Sequence, residues 1–164
     1  MKSHYFPVII AITITLLAIG WFLTKVYDGS MQTPQNTTPS TIKVEIKGKF
    51  YNLEVADTKE KRTKGLMNRT SLDKDGGMIF IFGNSSIYPF WMKNTLISLD
   101  IIWLDKDKKV VYIKENAQPC ETTFQAVCGT IIPNKMAKYV VELNAGEVEV
   151  LGLKENDSIE FKVD

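Results

Sequence analysis

The segment TIKVEIKGKFYNLEV, residues 41–55, alternates apolar and polar side chains on both sides of one glycine. A period of two is typical of a β-strand with one buried face. Gly48 interrupts the pattern and marks a turn, so the segment predicts a β-hairpin. The side chains expected on its buried face are Ile42, Val44, Ile46, Tyr51, Leu53 and Val55.

Segments further along the chain also favour strands. The run MIFIF after Gly76-Gly77 has no polar face, which predicts a strand buried on both sides. Asp105–Lys108 separates two apolar runs and predicts a second hairpin. The remaining predicted strands are Ile97–Leu104, Lys109–Lys114, Tyr139–Leu143 and Ser158–Val163.

Helix signals are few. Asp57 followed by Glu60 resembles a capping box and predicts a short helix that ends near Gly65. Gly146–Leu151 fits either a helical turn or a strand, and both alternatives stay open. Seven or so short strands with one short helix predict a mainly β domain, a β-sandwich or barrel. We place this single globular domain at residues 41–164, a length sufficient to bury its own core.

The N-terminal stretch Phe6–Leu23 carries eighteen residues without a charge. A helix of that length spans roughly 27 Å, close to the hydrocarbon thickness of a bilayer. We predict a membrane anchor at residues 1–27, an uncleaved signal-anchor in preference to a cleaved signal or a core helix. Residues 28–40, rich in Ser, Thr, Pro, Gln and Asn, predict a flexible stalk. Lys2 before the apolar run favours a cytoplasmic N-terminus, with the domain on the periplasmic or cell-surface side.

Charge and histidine content exclude several classes of function. Residues 41–164 hold 18 basic and 18 acidic side chains, interspersed in sign, so no phosphate-binding face is expected and nucleic acid is an unfavourable partner. His4 is the only histidine, and it precedes the apolar run Phe6–Leu23 and lies outside the globular domain. A Ser-His-Asp triad and a histidine-ligated metal are therefore incompatible with the globular domain. We expect neither a metal site nor a cofactor.

Cys120 and Cys128 are the two cysteines of the chain. Their spacing matches neither a redox C-x-x-C motif nor a zinc site. Outside the cytoplasm the pair is expected to form a structural disulfide, whereas two free buried thiols are the alternative for a cytoplasmic domain.

The most unusual local composition lies in YPFWMKNT, residues 88–95. One interpretation is a strand that ends in a hydrogen-bonded polar turn. The other is a ligand pocket in which Trp91 forms an apolar wall, Lys93 binds an anion, and Asn94 and Thr95 orient the ligand. Asp100, inside the apolar run LISLDIIWL, is a candidate acid or base or, alternatively, a carboxylate that caps backbone N–H groups.

The order of several motifs resembles the domain-of-unknown-function family one-nine-two (DUF192). The resemblance covers nearly all of residues 41–164, and the Trp-Met-Lys-Asn-Thr block is its most specific part. It departs at Gly129, where many relatives have proline. It implies an exported or membrane-anchored protein with a jelly-roll-like β-sandwich and a small helix, and it implies no activity. The matching segments are Gly65–Met67, Gly77–Phe82, Phe90–Thr95, Leu99–Ile101, Pro119-Cys120, Cys128, Tyr139–Leu143, Ala145-Gly146 and Gly152.

Two functions follow as hypotheses. The first is a non-catalytic module, tethered to the lipid bilayer through Phe6–Leu23, that binds a small ligand, an envelope polymer or a partner protein. The second is an envelope hydrolase or transferase that uses Asp100 and Lys93.

Overall fold

The computed structural model describes Leu17 and residues 19–22, 40–120 and 128–162. The predicted hairpin is confirmed: β1 (Thr41–Ile46) pairs with β2 (Lys49–Ala56) in antiparallel register. Lys47 and Gly48 form its two-residue turn with φ of 51° and 80°. Positive φ at both central positions matches the right-handed twist of the strands, which explains the glycine.

The chain leaves β2 through a short helix, α1 (Lys59–Lys64). The expected cap was Asp57, but Thr58 is the N-cap, and its hydroxyl accepts a hydrogen bond from the Lys61 backbone N–H at 3.2 Å. Asp57 instead binds the Lys61 ammonium group at 2.8 Å. The helix ends at Gly65, whose φ of 48° suits a residue without Cβ.

After α1, strand β3 (Gly76–Ser86) runs parallel to β2. The remaining strands are β4 (Phe90–Trp91), β5 (Leu99–Leu104), β6 (Val110–Ala117), β7 (Thr130–Ile131) and β8 (Ala137–Asn144). The six-stranded mixed sheet has the order β1-β2-β3-β8-β5-β6, and every pair except β2–β3 is antiparallel. A separate two-stranded sheet pairs β4 with β7.

Both faces of the sheet centre are covered. Val141 and Leu143 of β8 belong to one apolar cluster, and Val140 belongs to the other. Every residue of β5 is consequently buried. The mainly β prediction is confirmed. The barrel alternative is wrong for the described residues, which form this mixed sheet and no closed barrel.

The C-terminal region covers one face of the sheet. Gly146–Leu151 is resolved as helical: α2 spans Glu147–Leu151, so the domain has two short helices in its described part, where one was predicted. The predicted strand at Ser158–Val163 is reduced to isolated bridges. Ser158 pairs with Lys109, and Glu160 pairs with Glu45 of β1. Val163 lies outside the described residues.

Most of the predicted anchor Phe6–Leu23, and all of the predicted stalk except Ser40, lies outside the described residues. Leu17 and residues 19–22 are helical. Within the part of the chain that the structure describes, no helix combines the length and apolar character needed to cross a bilayer.

At Gly77 the neighbouring strands leave no room for a side chain, which generates the first prediction. A Cβ at this position would lie 2.4 Å from the Glu142 carbonyl oxygen and 2.8 Å from Leu53 Cδ2. We expect Gly77→Ala to lower the free energy of unfolding by about 1–3 kcal/mol, measured by urea denaturation. Gly83→Ala on the same strand is the control, because a Cβ there meets nothing within 4 Å. Equal stability of the two variants would contradict the packing described.

Candidate functional site

A cavity of about 320 Å³ lies between α1, β3 and β4; we call it the α1–β4 cavity. Its walls are mostly aromatic or apolar, its rim carries the basic side chains of α1, and two buried polar side chains reach it. The lining residues are Lys59, Arg62, Thr63, Lys64, Gly65, Leu66, Met67, Phe80, Phe82, Pro89, Phe90, Trp91, Thr95 and Glu142.

The aromatic wall comes from two strands. Phe80 and Phe82 alternate with Ile81 along β3 and therefore share one face of the sheet. Phe90 of β4 packs edge-on against Phe80, with ring centroids 4.9 Å apart. It also packs edge-on against Trp103, 5.5 Å away. These contacts hold β4 over the sheet and leave space between β4 and α1.

Arg62 fixes the opposite wall. Its guanidinium group donates hydrogen bonds to the carbonyl oxygens of Asp57 and Ile81, the latter at 2.9 Å. It also lies over the Phe82 ring at 5.2 Å from the centroid, within the range of a cation–π contact. One side chain thus joins α1 to β3 along the edge of the cavity.

Glu142 of β8 lies at the buried side of the cavity. Its side chain shares a face with Val140, and its neighbours across the sheet are Met78 and Ile101. The residue is 5 % exposed, and burial alone raises the pKa of its carboxyl group from 4.5 to about 8. No described residue gives this carboxyl group a hydrogen bond or ion pair.

The carboxyl oxygens of Glu142 contact the cavity space. Among the described residues, every fully enclosed side-chain oxygen or nitrogen has a hydrogen-bond partner. Glu142 has none, so its oxygens are the accessible part of the residue. The same reasoning applies to the hydroxyl group of Thr95, which is also 5 % exposed. Both groups are thus available to a molecule in the cavity.

This arrangement is suited to binding. A carboxyl group that keeps its proton near neutral pH can donate a hydrogen bond to a ligand oxygen or transfer a proton. Acid–base catalysis of a hydrolysis generally needs a second acid, base or nucleophile beside it. The other titratable groups among the described residues that line the cavity are the cations Lys59, Arg62 and Lys64.

The structure divides the predicted site residues into two groups. Trp91 and Thr95 line the α1–β4 cavity, whereas Lys93 and Asn94 are not among its lining residues. Asn94 has φ of 55°, its N–H donates to the Cys120 carbonyl at 2.9 Å, and its carbonyl accepts from Asn68 N–H at 2.8 Å. These are the features of a polar turn. The turn interpretation of residues 88–95 therefore describes Asn94, and the pocket interpretation describes Trp91 and Thr95.

Asp100 has the geometry of a structural carboxylate. One oxygen accepts a hydrogen bond from the Asn116 backbone N–H and the other from the Val148 backbone N–H, each at 2.8 Å. The residue is 1 % exposed and does not line the cavity. Asp100 thus connects β5 to the C-terminal end of β6 and to the first turn of α2.

The Cys120–Cys128 disulfide is confirmed, with a Cα–Cα distance of 5.7 Å. Cys120 also pairs with the turn that carries Thr95. Its backbone N–H donates to the Thr95 carbonyl at 3.3 Å, and its carbonyl accepts from Asn94. The disulfide therefore belongs to the wall structure beside the cavity.

Sequence reasoning missed Glu142. The signal was available, because Glu142 is an acidic residue inside the apolar strand Tyr139–Leu143, as Asp100 is inside its own. Period-two alternation places it on the same face as Val140, which is a buried face. The sequence could not show that the backbone satisfies Asp100 and leaves Glu142 facing open space.

A family profile described as DUF192, "Uncharacterized ACR", matches residues 42–161. The chain belongs to the DUF192 family. The resemblance inferred from the motif order is thereby confirmed at the level of the family, which carries no assigned activity.

The relatives of this DUF192 chain include UPF0127 proteins of Thermococcus and Pyrococcus species. One from Thermococcus gammatolerans is 32 % identical over 126 residues, covering 73 % of both chains. One from Pyrococcus abyssi is 32 % identical over 114 residues, covering 66 % of this chain and 85 % of the relative.

Two solved structures share the DUF192 fold. A proposed transcription regulator from Sinorhizobium meliloti has a TM-score of 0.66 and 32 % identity, covering 76 % of this chain and 95 % of its own. A protein of unknown function from Novosphingobium aromaticivorans has a TM-score of 0.63 and 29 % identity, covering 80 % and 99 %.

The buried carboxyl group generates a prediction on pH and stability. Because the pKa of Glu142 is about 8 in the folded state and 4.5 without burial, the folded state binds this proton more tightly. The resulting stabilisation is complete below about pH 4.5 and is lost as pH rises through 8. Relative to Glu142→Gln, the wild-type free energy of unfolding should fall by on the order of a few kcal/mol between pH 5 and 8.5.

Urea denaturation at several pH values measures this difference. Exposed Glu115→Gln is the control and should follow the wild-type curve. If the free energies of unfolding of wild type and Glu142→Gln differed by the same amount at every pH, the pKa of Glu142 would not be raised in the folded state.

Proposed function

We propose that this chain is a binding module that holds a small ligand with an apolar body in the α1–β4 cavity. The observation that supports it most directly is the pairing of an aromatic cavity with two unpartnered, buried polar groups, Glu142 and Thr95. Ligand sites commonly combine an apolar lining with a few polar groups that fix orientation. A cavity volume of about 320 Å³ corresponds to the small end of such sites.

The polar groups make specific binding preferable to an empty cavity. A buried carboxyl group without a partner carries a desolvation cost of roughly 1–3 kcal/mol. A ligand that accepts a hydrogen bond from Glu142 and exchanges one with Thr95 would recover much of that cost. A ligand that lacks polar atoms would leave it in place, so the cavity discriminates between the two.

The proposal includes a place of action on the outer side of a membrane, with Phe6–Leu23 as the tether and the jelly-roll-like domain class that the family resemblance implies. The charge-free length of that stretch supports the tether. The disulfide supports an oxidising compartment, because structural disulfides are rare in reducing cytosol. The S. meliloti protein is described as a transcription regulator, and we do not extend that role to this chain. The acidic and basic residues of this chain are interspersed along residues 41–164, a pattern that predicts no face for binding nucleic-acid phosphates.

Binding can be tested with a neutral aromatic probe, 4-phenylbutan-1-ol, and the full-length chain in lipid nanodiscs. We expect saturable shifts of the Trp91 indole N–H signal in NMR spectra, and an approximately tenfold loss of affinity, about 1.4 kcal/mol, for Trp91→Leu. Phe50→Leu is the control, because Phe50 is an exposed aromatic residue outside the cavity. Equal affinity of both variants would place the probe elsewhere.

The location can be tested by protease treatment of spheroplasts from a bacterial host that expresses the full chain. Digestion of the domain in intact spheroplasts, with a cytoplasmic marker left whole, is the expected result. A domain that stays protected until the cells are lysed would contradict both the tether and its orientation.

A further inference from the structure

The charges that line the α1–β4 cavity are unequally distributed. Lys59, Arg62 and Lys64 all lie on α1, and Lys59 and Lys64 are exposed. Glu142 is the only carboxyl group among the described lining residues, and it is buried. Since its pKa is about 8, it is mostly uncharged at neutral pH. The lining therefore presents three cations at the rim and little opposing negative charge.

Acidic side chains lie near these rim cations, but neither of the two acids at α1 lines the cavity. Glu60 lies on α1 itself, directly after Lys59 and one helical turn before Lys64, and forms no ion pair with either. Asp57 forms its ion pair with Lys61, which does not line the cavity. Arg62 donates to two backbone carbonyls, which carry no net charge. Lys59 and Lys64 form no ion pair with any residue that the structure describes. The two lysine ammonium groups are thus available to an anion, and the Arg62 guanidinium group adds positive charge beside them.

The cavity lining combines three kinds of side chain. Phe80, Phe82, Phe90 and Trp91 are aromatic, Lys59 and Lys64 are exposed cations, and Glu142 and Thr95 are buried polar residues. A molecule that fills this space needs an apolar body. The exposed lysines favour negative charge where the molecule reaches solvent, and the buried pair can form hydrogen bonds with its enclosed part.

We propose that the site takes a small organic monoanion, an aryl- or alkyl-carboxylate, whose charged group lies against the α1 cations and whose apolar body contacts the four rings. This inference rests on the proposed function and names its ligand class. The volume suits a body of about a dozen non-hydrogen atoms, at roughly 20–30 Å³ for each.

One argument favours a cationic ligand instead of an anion. Aromatic rings beside a carboxylate are suited to ammonium groups. Three like charges in the same lining oppose a cationic ligand, and a protonated Glu142 offers it no countercharge. The balance of charges favours the anion.

Three probes of equal shape test the charge class: 4-phenylbutyrate, 4-phenylbutan-1-ol and 4-phenylbutylamine. Dissociation constants are measured with the full-length chain in lipid nanodiscs at pH 7, and empty nanodiscs supply the correction for partitioning. We expect the carboxylate to bind at least about fivefold tighter than the alcohol, and the amine to bind weakest. This preference should shrink at high salt, because the lysines are exposed.

A matched pair of double variants locates the charges. Lys59→Gln with Lys64→Gln should bring the affinity for the carboxylate to within about twofold of the affinity for the alcohol. Lys109→Gln with Lys114→Gln is the control, because both are exposed lysines that do not line the cavity, and it should keep the preference.

Each outcome decides between the two proposals. Equal affinities for the three probes, or a preference for the amine, would overturn the anion assignment and leave the binding cavity standing. A carboxylate preference that survives loss of Lys59 and Lys64 would overturn the assignment of the charged group to these two lysines. If no probe binds at millimolar concentration, both the anion assignment and the proposed function fail.

Discussion

The pairing of β8 with β3 on one side and β5 on the other is the constraint on which the structure depends. β8 carries residues of both apolar clusters, since successive side chains point to opposite faces. Gly77 allows this contact because the Glu142 carbonyl lies where its Cβ would be. The same alternation that buries Val141 and Leu143 on one face necessarily buries Glu142 on the other. The burial of the Glu142 carboxyl group is therefore a consequence of the register of β8.

Burying that carboxyl group is unfavourable unless something is gained. An apolar residue between Met78 and Ile101 would complete the second cluster at no desolvation cost. Asp100 shows how the same fold treats a structural acid, with one backbone N–H for each oxygen. Glu142 receives no such partners from the described residues and faces a cavity instead. This contrast between two buried acids on adjacent strands is the physical basis for assigning a functional role to one of them.

Local pattern in the sequence predicted most individual elements. The hairpin of residues 41–55, the buried run after Gly77 and the Asp105–Lys108 turn all follow from period and turn chemistry. The parallel pairing of β2 with β3 could not be predicted this way, because side-chain alternation is the same for parallel and antiparallel neighbours. The prediction of a closed barrel was wrong for a different reason: among the described residues, strand pairing between the C-terminal segment and β1 is limited to an isolated bridge at Glu160.

The sequence predicted which segment contributes to the candidate site, but it could not predict which residues of that segment line the cavity. In Trp91–Thr95 the backbone changes from a short strand to a turn, so neighbouring side chains point in different directions. Trp91 and Thr95 reach the cavity, while Asn94 takes the left-handed conformation that the turn requires. Period-two reasoning covers the strand alone. The backbone hydrogen bonds of Asn94 with Asn68 and Cys120 fix where the strand ends and the turn begins, and these bonds cannot be predicted from the sequence pattern.

Those hydrogen bonds join the cavity walls into one unit. Asn68 follows the Gly65–Met67 wall segment, and Asn94 immediately precedes Thr95. Cys120 receives the Asn94 N–H, donates to the Thr95 carbonyl, and is held by its disulfide to Cys128. A displacement of Cys120 would thus be transmitted to Thr95 and, through Asn94, to the segment after α1. The disulfide is therefore connected to the cavity lining through the two backbone hydrogen bonds that Cys120 forms with Asn94 and Thr95.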